Sequence, residues 1–265
     1  MRIILFLILL LSGMLLFTSC RQRQGKSGGS TGSSVSSVVL VLFDISGSTG
    51  SKSVRAQYLK DFQTVVSQLS AGDTIIGEVI TDNTLARARL PIQETLPVFN
   101  AFRDNKITYD ESAKKTVEHI HAQAKETIEK TNPVAKTDLM NAFQFADKIL
   151  NGEEYAKTNE KILVIFSDMI EQSDHYNFAD IKLADTQDMK IINAEKSAGR
   201  LPRLTGVKVW IAGATNMPTP LITSDKIQEI EAFWQKYFEV CGAELPKEHY
   251  ASVLLGFTMQ HGKRQ

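Results

Sequence analysis

Cysteine is nearly absent from this chain: Cys20 and Cys241 are the two among 265 residues. Thiols that few and far apart make neither a thiolate metal site nor a disulfide framework, and Cys241 reads as a small buried hydrophobe. Neither sign of charge is in excess, with Lys+Arg 30 against Asp+Glu 30. A nucleic-acid groove needs a basic surplus, so nucleic acid is not an expected partner. The histidines are scattered. His119 and His121 stand two apart in a helical stretch, cannot share a face and read as solvent-exposed. His175, His249 and His261 have no partners at ligand spacing, so zinc is not expected. Gly-x-Ser-x-Gly is matched at Gly25–Gly29 and Gly28–Gly32, inside a Gly/Ser-rich stretch with no strand before it, so no nucleophile elbow is formed and serine hydrolysis has no support. No hydrophobic run reaches the roughly 20 residues of a spanning helix, and no internal repeat is visible.

The first nineteen residues belong to targeting rather than to the fold. Arg2 is followed by an apolar core, Ile3–Leu11 and Met14–Phe17, and then by Thr18-Ser19-Cys20. This segment resembles a bacterial lipoprotein signal with its lipobox, with Phe17 where that pattern usually has an aliphatic residue. The resemblance implies that residues 1–19 are removed and that Cys20 becomes a lipid-modified N-terminus. The body would then be tethered to a membrane in the bacterial cell envelope. Arg21 offers no acidic retention signal, which favours the outer membrane in a cell that has one. Residues 20–37 follow as the lipidated cysteine and a Gly/Ser-rich flexible linker, and the folded domain is expected over 38–265.

Val38–Phe43 is a continuous apolar run rich in β-branched residues, the pattern of a buried central strand. Ser51–Leu69 carries Val54, Tyr58, Phe62, Val65, Val66 and Leu69 at helical spacing. Thr74–Thr81 reads as a second buried strand, and Ala86–Ile92 alternates like a half-exposed edge strand. Thr108 with Glu111 forms a capping box for a helix that stops at Asn132-Pro133. A polar turn, Ala135–Leu139, opens a helix closed by Asn151-Gly152. Strands at Lys161–Phe166, Val207–Ala212 and Ser252–Phe257 alternate with helices at Asp180–Gly199 and Ser224–Cys241. Trp210 and Trp234 lie on apolar faces and read as core. The alternation predicts an α/β fold: a Rossmann-like, doubly wound, mostly parallel sheet covered by helices on both faces, with one short antiparallel edge strand.

The chemistry is concentrated where the first strand ends. Asp44 is followed by Ser46, Ser48, Thr49 and Ser51, with Gly47 and Gly50 between them, at the strand end where open α/β sheets place their ligands. A phosphate loop would need Gly-x4-Gly-Lys-Ser/Thr, but Gly47 stands one residue too close to Lys52 and Ser51 replaces the second glycine. An aspartyl-phosphate phosphatase needs a second acid two residues after the nucleophile, and position 46 is Ser. A divalent cation fits better. Asp44, Ser46 and Ser48 alternate and offer only oxygen, which suits a hard ion such as Mg2+ that keeps some of its waters.

At this point the chain resembles the von Willebrand factor A domain family. Its metal-ion-dependent adhesion site is written Asp-x-Ser-x-Ser, a Thr in a later loop and an Asp after a central strand. Here stand Asp44-Ile-Ser46-Gly-Ser48, Thr137 in Lys-Thr-Asp-Leu, and Asp168 in Ile-Phe-Ser-Asp. The resemblance covers Val38 to about Phe257 and departs in two places. A helical insertion runs from about Asp104 to Lys136, and Met169 follows Asp168 where the family often has glycine. It implies that Ser46, Ser48 and Thr137 hold Mg2+ (or Mn2+) directly, with Asp44 and Asp168 acting directly or through water. It implies binding rather than turnover: the open coordination position takes an Asp or Glu from a protein partner. A Mg2+-dependent phosphohydrolase using the same loop is the alternative. Helix capping by Ser48, Ser51 or Thr137 accounts for the hydroxyls alone, but not for two acids at neighbouring strand ends.

Overall fold

The computed structural model describes residues 36–132, 134–214 and 222–260. All belong to one structural unit, Ser34–Gln265. The expected signal segment, Cys20 and nearly all of the linker lie outside the described residues. Among the described residues no helix is long and apolar enough to cross a membrane.

The strands are β1 Ser37–Asp44, β2 Thr74–Ile80, β3 Ile92–Thr95, β4 Glu160–Phe166, β5 Val207–Ala212 and β6 Tyr250–Ala251. The helices are α1 Lys52–Ser67, α2 Thr84–Arg87, α3 Lys106–Lys130, α4 Leu139–Leu150, α5 Asp185–Ser197 and α6 Ser224–Cys241. The strands form one sheet in the order β3-β2-β1-β4-β5-β6. β1 pairs in parallel with both β2 and β4, β5 continues the parallel set, and β3 is the one antiparallel member, against β2. This is the expected α/β architecture.

β1 is central because both of its faces are covered. Val38, Leu40 and Leu42 point into a core shared with α4, α5 and α6. Val39, Val41 and Phe43 point into a second core shared with α1 and α3. Every residue of β1 is buried, which is why it reads as an unbroken apolar run rather than an alternation. On the second face Phe43 stacks on Phe166 of β4 with ring centroids 5.4 Å apart. The expected core residues Trp210, Trp234 and Cys241 are buried, and burial pushes the Cys241 thiol up to about 12.

Five local expectations need correction. The edge strand begins at Ile92 rather than Ala86, because Asn83 caps the short α2 and the buried Glu78 carboxylate accepts the amides of Arg89 and Leu90 at 2.6 and 2.7 Å. Ile92 instead pairs with Gly77, where a Cβ would lie 2.7 Å from its Cδ1. Helix α3 starts two residues before Thr108, capped by Asn105, whose side chain accepts the Ile107 amide at 2.9 Å. Helix α5 starts at Asp185, since Asn177 and Glu229 hold the preceding backbone in turns. Ser252–Phe257 is not a strand: after β6 the chain crosses α1, Leu254 N–H donates to Asp61, and Phe257 is buried against Trp210. His121 is half-buried with its ring edge on Phe62, while His119 is exposed as expected.

A candidate cation site at the carboxyl end of the sheet

The strand order reverses direction between β1 and β4, so the two crossovers leave on opposite sides and a crevice opens at their carboxyl ends. Phe43 and Phe166 are paired in register, which sets Asp44 level with Ser167 and puts Asp168 just beyond. The Ser167 hydroxyl donates to Asp44 Oδ2 at 2.7 Å, and the Ser46 amide donates to Asp44 Oδ1 at 2.9 Å. Thr49 Oγ1 donates to the Asp44 carbonyl at 2.8 Å and closes the turn. Ser46 Oγ lies 3.0 Å from Ser48 Oγ, and the Ser48 side chain hydrogen-bonds the Asp168 carboxylate. Thr137 Oγ1 lies 3.5 Å from Asp44 Oδ1. The five expected residues are therefore together, with Asp44, Ser46 and Thr137 buried and Ser48 exposed at the mouth.

Backbone pairing outside the sheet brings the three loops together. Ser46 forms a parallel bridge with Val134, and Thr137 an antiparallel bridge with Gln172 through two hydrogen bonds of 3.0 and 2.9 Å. Asp138, not Thr137, caps α4 by accepting the Asn141 amide, which leaves the Thr137 hydroxyl to face the site. The α1 cap is Ser51. Beneath Thr137 the fully buried Glu171 accepts the Leu139 and Met140 amides at 2.8 and 3.3 Å, an acid set against a helix N-terminus. Burial, then the charge of Asp138, pushes the Glu171 carboxyl up to about 8.

Sequence reasoning left four residues out of the site. Thr49 and Ser167 are hydroxyls of the same loops, visible in the sequence but without a rule to assign them. Glu171 and Tyr58 had no local signal. Tyr58 is buried beside the site, its hydroxyl has no partner among the described residues, and burial together with Asp44 and Asp168 pushes it well up. It packs against Gly213, at φ 96°, where a Cβ would lie 2.7 Å from the Tyr58 hydroxyl.

The electrostatics are one-sided. Burial, then the charge of Asp44, raises the Asp168 carboxyl to about 6, although Ser48 and the Ile170 amide hydrogen-bond its charged form. No Lys, Arg or His among the described residues pairs with either acid. Asp168, the hydroxyls of Ser48, Thr49 and Thr137, and the unpartnered phenol of Tyr58 border a cavity of about 420 Å³, with Asp44 buried behind them. No group of three or more His, Cys, Asp or Glu able to hold a metal occurs among the described residues. The donor set is thus hydroxyl-rich, low in charge and all oxygen, which fits a hard dication that retains water and does not fit zinc or copper.

The position after Asp168 behaves as a glycine position without being one. Met169 has φ 62°, is fully buried, and its carbonyl accepts the Trp234 indole N–H at 2.8 Å. The left-handed conformation costs about 1–2 kcal/mol for a residue with a Cβ, and here core packing of the side chain offsets it.

No protein-family model and no curated protein matches the chain. Solved structures do. The von Willebrand factor type A structure from Catenulispora acidiphila is similar at 11% identity and TM-score 0.40, over 78% of this chain and 42% of that one. The manganese-loaded TRAP protein of Plasmodium vivax is similar at 11% identity and TM-score 0.39, over 75% and 63%. The pilus adhesin SpaC of Lactobacillus rhamnosus GG, in an open conformation, is similar at 10% identity and TM-score 0.43, over 82% and 28%. The chain spans less than two thirds of each of these proteins, and likeness at this level carries no argument about ligand or partner.

Proposed function

We propose that this chain is a membrane-tethered binding module of the bacterial cell envelope that uses a divalent cation to dock an acidic side chain of a protein partner. The observation that carries the reading is the unpaired charge at the switch point: Asp44 and Asp168 face each other with hydroxyls, not cations, around them. Ser46, Ser48 and Thr137 would hold Mg2+ (or Mn2+), with Asp44 and Asp168 binding it directly or through water. When bound, the ion supplies a positive centre that two carboxylates quench incompletely once hydroxyls replace water around it. A partner Asp or Glu then completes the site.

Asp44 is positioned for holding rather than for attack. Both carboxylate oxygens accept hydrogen bonds, from Ser46 N–H and from Ser167. Those donors lower the nucleophilicity that a phosphohydrolase would draw on. Phosphate-ester turnover that depends on Mg2+ and is lost in Asp44→Ala would reverse this choice.

Thermal melting tests the cation. With Mg2+ or Mn2+ at about 100 times its Kd, linkage gives about 2.7 kcal/mol, a rise of about 5–10 °C for a domain of this size. Asp44→Ala with Ser48→Ala should show no rise; equal shifts in both proteins would place the ion elsewhere. The tether is tested by labelled fatty acid, which should enter the natural chain and not Cys20→Ala.

A further inference from the structure

The end of the sheet opposite the cation site carries an apolar projection. Val98 is 54% exposed, Phe99 40%, Phe102 94% and Ile107 69%, four of the six large hydrophobic side chains exposed among the described residues. They lie within residues 98–107, on the loop from β3 into α3. The loop is built rather than slack. Asn100 Oδ1 accepts the Phe102 amide at 3.0 Å, the Asn100 carbonyl accepts the Arg103 and Asp104 amides, and Asp104 accepts the Asn100 amide at 2.6 Å. Phe99 packs on Tyr109, whose hydroxyl donates to the Pro97 carbonyl. A tight turn therefore holds Phe102 out in water, where a large exposed apolar cluster marks a contact surface.

Its location says what it contacts. The Leu96 amide donates to the Asp73 carbonyl at 2.9 Å, and Asp73 Oδ1 accepts the amide of Ser37, the first residue of β1, at 2.8 Å. The base of the apolar loop thus sits beside the point where the chain enters the sheet. Sixteen residues, Arg21–Ser36, separate Cys20 from that point, and they carry Arg21, Arg23 and Lys26 and no acid. Gln260 N–H is held at the same end by Glu160, the first residue of β4, and the sequence beyond it carries Lys263 and Arg264. The described chain thus begins and ends at the end that carries the apolar side chains, and the sequence beyond both points is basic, the chemistry that suits an anionic bilayer. Helix α3 runs from this end to the other, where the Arg55 guanidinium at the start of α1 donates to the Ile128 carbonyl at 2.8 Å. Its 25 residues span about 37 Å at 1.5 Å each.

We propose that the Val98–Ile107 loop is a lipid-contact surface that seats the domain on the membrane, with Phe102 and Ile107 entering the interface and the cation site facing away from it. The proposal rests on the tether of the function proposed above and not on its cation.

The test uses the full chain with vesicles of phosphatidylcholine and phosphatidylglycerol, with and without bromine on the acyl chains. Phe102→Trp should be quenched about twofold or more by the brominated lipid, and Glu129→Trp, in the last turn of α3, should not; interfacial insertion reaches about 5–10 Å into the bilayer. Equal quenching at 102 and 129, or none at 102, overturns the proposal. So does a blue shift of the 102 emission that grows with protein concentration in lipid-free buffer and ignores brominated lipid, which assigns the loop to a second copy. Phe102→Ser should retain the melting temperature and weaken vesicle partitioning about tenfold, the burial of one aromatic side chain. Fatty-acid labelling of Cys20 separates the two readings. Quenching without labelling keeps the lipid contact and removes the tether, whereas labelling without quenching keeps the tether and removes the contact.

Discussion

Buried acids occur at both ends of this sheet, and their surroundings are opposite. At the amino end Glu160 pairs with Lys208 at 2.8 Å and accepts from the Gln260 amide, while Asp73 accepts the amides of Ser37 and Ser70. At the carboxyl end Asp168 faces Asp44, and the groups between them are hydroxyls. Completed acids hold strands together; an acid left facing an acid is a request for a cation from outside. The same residue types are structural at one end and candidate cation ligands at the other, and the neighbours make the difference.

The largest test of that contrast is at the amino end. Lys208→Met leaves the carboxylate of Glu160 buried without its cation. The expected loss is about 3 kcal/mol, the scale for removing one partner of a buried pair. Urea unfolding measures it, and a loss below about 0.5 kcal/mol would mean that Glu160 is held by its amide and hydroxyl donors alone.

Glu171 sits beneath the carboxyl end and gives the second effect. Its carboxyl is raised from 4.5 to about 8 by burial and by Asp138. A folded-state pKa above the unfolded one means that the folded protein holds the extra proton between pH 4.5 and 8, so stability falls as pH rises through that window. A slope amounting to about 2–3 kcal/mol is expected in chelator, after discounting the full shift. Glu171→Gln, which keeps an acceptor for the Leu139 amide, should flatten it; an unchanged slope would move the cause to another group.

Asp168→Asn reads the carboxyl end directly and has the opposite sign to Lys208→Met. With Asp168 raised to about 6, its charge opposes folding near pH 7. Removing that charge should stabilise the chelated protein by about 1–2 kcal/mol while abolishing the melting shift from Mg2+. Destabilisation without cation would show that the two acids do not repel as their placement implies.

The legible parts of this molecule are those whose signal is local. β1, β2, β4, β5, α1 and α6 were readable because buried parallel strands are continuous apolar runs and amphipathic helices repeat at 3.6. The candidate ligand set was readable because each member terminates a strand or opens a helix in a recurring order. Glu171 was not, because its partners at Leu139 and Met140 lie at the N-terminus of α4, distant in sequence, and an acid in a polar stretch carries no mark of burial. Ser252–Phe257 misled for a related reason: the Leu254 amide binds Asp61 of α1 and Phe257 packs on Trp210 while Leu255 stays exposed, and composition does not distinguish packing across a face from pairing along an edge. Ala86–Ile92 alternates correctly, yet Glu78, from the neighbouring strand, captures the Arg89 and Leu90 amides and delays the strand.

Met169 gives the smallest effect and separates two contributions that normally travel together. Its φ of 62° strains any side chain, while its fully buried side chain and the Trp234 hydrogen bond to its carbonyl stabilise the loop. Met169→Ala removes the packing and keeps the strain; Met169→Gly removes both. Outside the left-handed region glycine is the more destabilising of the two by about 0.5–1 kcal/mol, because it loses more backbone freedom on folding. Here the order should invert, with Gly less destabilising than Ala by about 1 kcal/mol as the left-handed penalty disappears. Paired urea titrations of the two variants read the difference without reference to the cavity that both create. If Ala proves the milder change, the loop after Asp168 relaxes out of the left-handed region once the sulfur is gone. The conformation would then be imposed by the packing of Met169 rather than by the hydrogen bonds around it.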